Sequence, residues 1–85
     1  MKSTKYTVNT TAQKIISAGP SSQRIYCHVI GNGIVYLGDA AVTSSNGTPT
    51  EKGAVPIEVF VPRGNELWAV VVSGTEDLRV LTEGA

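Results

Sequence analysis

Short runs in which apolar and polar residues alternate constrain the fold of this chain more than any other feature. In residues 23–30 the apolar side chains Ile25, Cys27 and Val29 occupy every second position. The same period of two recurs in residues 55–61. Because successive side chains of a strand point to opposite faces, this period predicts strands that bury one face.

The residue composition also favours strands over helices. Val, Ile and Thr make up 26 of the 85 residues, and side chains branched at Cβ lose rotamers in a helix but pack well on a sheet. Turn-forming residues separate the alternating runs about every 8–12 residues. The sequence therefore predicts an all-β fold, a small antiparallel β-sandwich or barrel of about six to seven short strands, Greek-key or jelly-roll-like. Residues 1–12 are predicted to be an N-terminal arm or edge strand, and residues 13–85 a single β domain.

Turn sequences indicate where the predicted strands reverse. Residues 31–33 read Gly-Asn-Gly, and Asn-Gly supplies the positive φ angles of a tight hairpin, so residues 34–37 are predicted to pair with residues 23–30. Residues 62–65 and 73–76 predict two further turns. Residues 38–54 have no long apolar run and predict either a long ordered surface loop or a loop around one short strand at residues 41–43.

Charge and cysteine content argue against several classes of function. Seven Lys and Arg balance seven Asp and Glu, which argues against binding of nucleic acid and against a polybasic membrane-binding segment. The sequence contains no run of about 20 apolar residues, so it predicts no membrane span. The polar N-terminal residues do not resemble a signal peptide. Cys27 is the single cysteine, so no intramolecular disulfide is possible, which favours folding in a reducing compartment.

The residues capable of catalysis or metal binding form no recognisable motif. His28 is the single histidine, and it faces away from Cys27 on the same predicted strand, so the two cannot act as base and nucleophile. The acidic residues are scattered along the chain. We therefore predict no enzymatic activity, no catalytic residue, no cofactor and no metal site. Cys27 is predicted to be a buried apolar residue, and His28 an exposed strand residue.

The chain has more apolar residues than one small core can bury. Once each predicted strand has one face assigned to the core, six residues remain: Tyr26, Phe60, Trp68, Val70, Val72 and Leu81. One interpretation is that a closed barrel or edge loops cover them. The other is that they form a subunit interface, because aromatic residues are enriched in interface cores and small domains without disulfides gain stability by oligomerisation. Stacking of Tyr26, Phe60 and Trp68 on sugar rings is a further alternative.

The second half of the chain contains a series of short motifs separated by turns. They are Val35-Tyr36-Leu37-Gly38-Asp39, Val42-Thr43-Ser44-Ser45-Asn46-Gly47, Gly64-Asn65-Glu66-Leu67-Trp68-Ala69-Val70, Ser73-Gly74-Thr75 and Leu78-Arg79-Val80-Leu81. Over residues 34–82 this pattern resembles small β-domain structural proteins of tailed bacteriophages, which include head decoration (cement) proteins and β-domains of fibres.

The resemblance implies a structural role in the virion. It predicts a protein that assembles in the host cytoplasm, forms a homo-oligomer, with a trimer favoured, and binds the major capsid protein as a decoration protein that stabilises the head. The family contributes no catalytic motif, and neither nucleic acid nor membrane is an expected partner. The alternative function is that of a glycan-binding β-module of a phage fibre or adhesin.

Overall fold

Eight antiparallel strands build the fold. The computed structural model of the chain describes residues 2–51 and 57–82, and it contains no helix in those ranges. The strands are β1 (Lys2–Val8), β2 (Gln13–Ile16), β3 (Gln23–Val29), β4 (Ile34–Gly38), β5 (Thr48–Glu51), β6 (Ile57–Val61), β7 (Leu67–Val71) and β8 (Glu76–Thr82). The predicted all-β class is confirmed, although the described residues hold eight strands where six to seven were predicted.

The eight strands are divided between two sheets of four. Sheet A has the order β1-β8-β3-β6, and sheet B has the order β2-β7-β4-β5. The chain pairs like one long folded hairpin, because β4 pairs with β5, β3 with β6, β2 with β7 and β1 with β8. This is the strand order of an eight-stranded jelly roll. The described strands therefore form a sandwich of two open sheets rather than a closed barrel.

The core lies between the sheets and is built from one face of each sheet. In β3 the residues Ile25, Cys27 and Val29 are buried, as their alternation predicts, while Arg24 and Tyr26 are exposed on the other face. Buried side chains from both sheets form a single cluster. Its members are Val8, Ile15, Ile16, Ile25, Cys27, Val29, Val35, Leu37, Val61, Leu67, Ala69, Val71, Leu78 and Val80. Each Val, Ile or Leu side chain of this cluster stabilises the fold by about 1.5–3 kcal/mol when it is fully buried.

The hairpin predicted at residues 31–33 is wrong. β3 lies in sheet A and β4 lies in sheet B, so the chain crosses between the sheets at this point. In the described ranges only Gly64 and Gly74 have positive φ angles, so residues 31–33 do not adopt the turn that Asn-Gly favours. The glycines serve close packing instead, because the carboxylate of Glu76 occupies the space that a Cβ on Gly31 or Gly33 would fill.

Neither alternative predicted for residues 38–54 is correct, because residues 41–43 form no strand and a strand is present later in the segment. The strand of this region is β5, at Thr48–Glu51. Its sequence, Thr-Pro-Thr-Glu, has no apolar alternation, and Pro49 is tolerated because β5 is an edge strand. The predicted strand at residues 55–61 is observed as β6 from Ile57 onwards, and residues 55 and 56 lie outside the described residues.

Both turns predicted in the last third of the chain are confirmed. Gly64 has a φ of 82°, and the Asn65 amide donates a hydrogen bond to the Pro62 carbonyl over 3.0 Å. Gly74, with a φ of 66°, lies between β7 and β8. These left-handed angles are the ones that favour glycine, so the two turns join β6 to β7 and β7 to β8 as the sequence predicts.

Candidate interaction surfaces

The six apolar residues predicted as an interface lie on two different surfaces of the sandwich. Three of them, Tyr26, Phe60 and Leu81, belong to strands of sheet A and alternate with core residues. The other three, Trp68, Val70 and Val72, belong to β7 of sheet B or directly follow it. Since the core lies between the two sheets, these residues form neither one continuous interface nor one row of aromatic rings.

The sheet A surface, defined by Tyr26, Phe60 and Leu81, is held together by cross-strand neighbours. Tyr26 on β3 lies opposite Leu81 on β8 and opposite Glu58 on β6. The Tyr26 hydroxyl donates a hydrogen bond to Glu58 Oε2 over 2.9 Å. Phe60 lies two residues after Glu58, on the same face of β6. It is 56% exposed, and Tyr26 is 39% exposed. The result is an apolar strip with a carboxylate beside it.

The sheet B surface is defined by Ile34, Tyr36, Trp68 and Val72. Val72 is 64% exposed and Ile34 is 38% exposed, while Tyr36 and Trp68 are half-buried. A shallow depression of about 320 Å³ lies between Ile34, Tyr36 and Val72 and is bounded at one side by Glu76. An apolar surface with a polar rim is typical of an association site.

Val70 is not part of the exposed surface, although the sequence placed it there. It lies opposite Tyr36 on the outer face of sheet B but is only 6% exposed. Nearby, the loop after β4 folds back over the sheet, so that Val42 packs on Gly38 and Gly47 packs on the Cβ of Tyr36. Val42 and Val70 are both buried, yet neither belongs to the central cluster.

Side-chain hydrogen bonds fix the shape of this loop. Asp39 Oδ1 accepts a hydrogen bond from the Ala41 amide over 2.9 Å, and Asn46 Oδ1 accepts one from the Thr43 amide over 2.7 Å. The Gly47 amide donates to the Thr43 carbonyl over 2.8 Å. The motifs of residues 35–39 and 42–47 therefore have a packing role, since they fasten the loop onto sheet B.

Trp68 is held in one orientation by two charged neighbours. Its indole N–H donates a hydrogen bond to Glu66 Oε1 over 3.0 Å, and Lys14 Nζ lies 3.2 Å from Glu66 Oε2. Lys14 also lies 5.9 Å from the centre of the Trp68 ring. The hydrogen bonds from Trp68 and from Lys14 lower the pKa of Glu66. A fixed aromatic ring loses less conformational entropy on binding, which suits an interface anchor.

Ile34 and Tyr36 were missed by the sequence analysis. The alternation of β4 carries the signal, because Val35 and Leu37 are buried and their neighbours must face outwards. That signal is weak in a strand of five residues whose members are apolar on both faces.

The side chains considered for chemistry do not form a site. Cys27 is buried, as predicted, and burial raises the pKa of its thiol to about 11, which makes the thiol a poor nucleophile. His28 is half-buried rather than exposed, and it lies opposite Arg79 on the outer face of sheet A. Within residues 2–51 and 57–82, no three His, Cys, Asp or Glu side chains are grouped to hold a metal ion. The same residues include no helix that could cross a membrane.

No protein-family model, curated protein or solved structure matches the chain.

Proposed function

We propose that the chain is a non-enzymatic structural protein of a tailed-phage virion, which self-associates and binds the major capsid protein as a decoration protein that stabilises the head. The observation that carries the proposal is the presence of two apolar surfaces on opposite sides of one small sandwich. A protein of this kind needs two contacts, one with the shell and one with another copy of itself. Two separated surfaces supply them without competition.

The exposed side chains give the two contacts a physical basis. Each ~100 Å² of apolar surface removed from water contributes about 2.5 kcal/mol before the costs of association. Phe60 and Val72 are the most exposed large apolar residues of the described chain, and they lie on different sheets. We assign the sheet B surface to the capsid, because it carries Val72, the most exposed large apolar residue of the described chain, and the fixed indole of Trp68.

The fold is compatible with this role. Jelly rolls occur in viral capsid and lectin domains, but a fold hosts many functions and is only an analogy. The motifs of residues 34–82 that resemble virion β-domains add to this support, with the limit that those from residue 35 to residue 47 serve packing in this chain.

Binding to shells tests the assignment of the sheet B surface. The protein is mixed with capsid shells of the encoding phage that lack it, and the bound fraction is measured after sedimentation. Val72→Asp is expected to reduce binding at least tenfold, because it places a charge in the apolar contact. Ser21→Asp is the matched control, since it adds the same charge at an exposed residue between β2 and β3 that does not line the depression, and it is expected to bind like the wild type. If wild-type protein does not bind, or if Val72→Asp binds equally well, the proposal is wrong.

One observation favours the alternative function of glycan binding. Tyr26 and Phe60 are exposed on the neighbouring strands β3 and β6, and Glu58 lies opposite Tyr26 on the same face of β6 as Phe60. Aromatic faces beside a carboxylate suit a sugar ring, although Trp68, on the other sheet, cannot contribute. A glycan array distinguishes the two functions: binding that Phe60→Ala abolishes supports a glycan site, and a blank array supports the structural role.

A further inference from the structure

The open edges of the two sheets differ in how well they are protected. β1 and β6 are the edge strands of sheet A, and β2 and β5 are those of sheet B. An open edge presents backbone N–H and C=O groups to any extended chain, and proteins block such edges with lysine, proline, bulges or very short strands. β1 carries Lys2 and Lys5, β2 carries Lys14 and a register shift, and β5 has four residues that include Pro49.

β6 has the weakest protection of the edge strands in the described part of the chain, because Glu58 is its single charged side chain. Its sequence, Ile-Glu-Val-Phe-Val, contains neither lysine nor proline, and its pairing with β3 is regular. Phe60 is exposed on the outer face. Ile57 and Val59 face the core but are only partly buried. A regular strand with an apolar inner face, an exposed Phe60 on its outer face and an open edge is suited to receive another strand.

We infer that β6 of one copy pairs antiparallel with β6 of a second copy, around a two-fold axis at Val59, so that two A sheets join into one sheet of eight strands. This inference rests on the self-association in the proposed function and names the strand that mediates it. This pairing produces a dimer, whereas the resemblance to phage structural proteins favours a trimer.

The charges of β6 select this register. With the axis at Val59 all five residues are paired, Ile57 lies opposite Val61 of the second copy, and each Glu58 lies opposite Phe60. Moving the axis to Glu58 would place two carboxylates opposite each other, which is destabilising. Moving it to Phe60 would leave Ile57 and Glu58 without partners in the opposing strand. The chosen register also covers the half-buried Val59 with an apolar side chain.

Charge substitutions at the Glu58–Phe60 pair test the register, with the dimer dissociation constant measured by analytical ultracentrifugation. Phe60→Glu places a carboxylate opposite Glu58 at two symmetric points and is expected to weaken the dimer about tenfold. Phe60→Lys places an ammonium group there and is expected to stay within about threefold of wild type. The double variant E58K/F60E places opposite charges in the pair, so its dimer dissociation constant is also expected to stay within about threefold of wild type. Ser3→Glu, at the other edge of the same face, is the control and leaves dimerisation unchanged.

The possible outcomes separate strand pairing from other kinds of contact. If Phe60→Glu and Phe60→Lys weaken the dimer equally and the double variant does not recover, the contact is not this strand pair and the inference is overturned. A wild-type protein that stays monomeric, or a dimer indifferent to all three variants, also overturns it. Hydrogen exchange supplies a second readout, because β6 amides are expected to gain protection as protein concentration rises. If the wild-type protein is a monomer that binds shells, and Val72→Asp abolishes that binding, this inference fails while the proposed capsid contact is still supported.

Discussion

Val42 lies directly over Gly38, and its Cγ2 atom is 2.8 Å from the position that a Cβ on residue 38 would occupy. Gly38 is the last residue of β4 and lies opposite Trp68 on β7 of sheet B. The close approach therefore fastens the loop after β4 to the sheet B surface, beside the residue proposed to anchor the capsid contact.

Gly38→Ala is expected to destabilise the protein by about 1–3 kcal/mol, because a methyl group would push Val42 out of its buried position. The free energy of unfolding is measured by denaturant titration. Gly19→Ala is the matched control, since no atom of residues 2–51 and 57–82 lies within 4 Å of its added Cβ, and its effect is expected to stay within about 0.5 kcal/mol. Equal effects of the two substitutions would show that the loop does not depend on this contact.

Glu66 gives the Trp68 anchor a measurable signature. The hydrogen bond from the indole is the largest cause of the lowered pKa of Glu66, followed by the hydrogen bond from Lys14. Trp68→Phe removes the indole donor, so the carboxyl pKa is expected to rise towards its ordinary value of 4.5. Carboxyl chemical shifts followed by NMR during a pH titration measure the change.

The same group sets the sign of a pH dependence. A carboxyl whose pKa is lower in the folded state stabilises the fold above its ordinary pKa, and that contribution is lost as the pH falls through the lowered value. Glu66→Gln is therefore expected to flatten the fall in stability below pH 4.5 relative to wild type. If the titration of Glu66 is the same in wild type and Trp68→Phe, the indole does not hold the carboxylate in solution.

Which face of a strand a residue occupies was largely predictable from the sequence, and the sheet to which the strand belongs was not. Alternation placed Tyr26, Phe60 and Trp68 outside the core, and all three do project from outer faces. Alternation is local, whereas sheet membership depends on pairing between strands far apart in the chain, such as β1 with β8. Trp68 was therefore grouped with two rings that lie on the opposite side of the sandwich.

Residues 31–33 show the same limit for turn chemistry. Asn-Gly favours a tight hairpin by its local backbone preference, but the jelly-roll order sends β3 and β4 to different sheets. β5 was not predicted for the converse reason, since its pairing with β4 imposes a strand on a segment that contains Pro49 and has no apolar alternation.

Gly64 and Gly33 are required for different reasons: Gly64 for its backbone angle and Gly33 for close packing. Gly64 has a φ of 82° with open space around it, so Gly64→Ala is expected to cost about 1 kcal/mol through backbone strain alone. Gly33 has no such angle, and the three atoms of the described chain nearest to its added Cβ all belong to the Glu76 side chain. The cost of Gly33→Ala is therefore expected to disappear when it is combined with Glu76→Ala, whereas the cost of Gly64→Ala persists in that background. Thermal or denaturant unfolding of the single and double variants measures both effects. A Gly33→Ala penalty that survives removal of the Glu76 side chain would mean that residue 33 needs a left-handed turn after all.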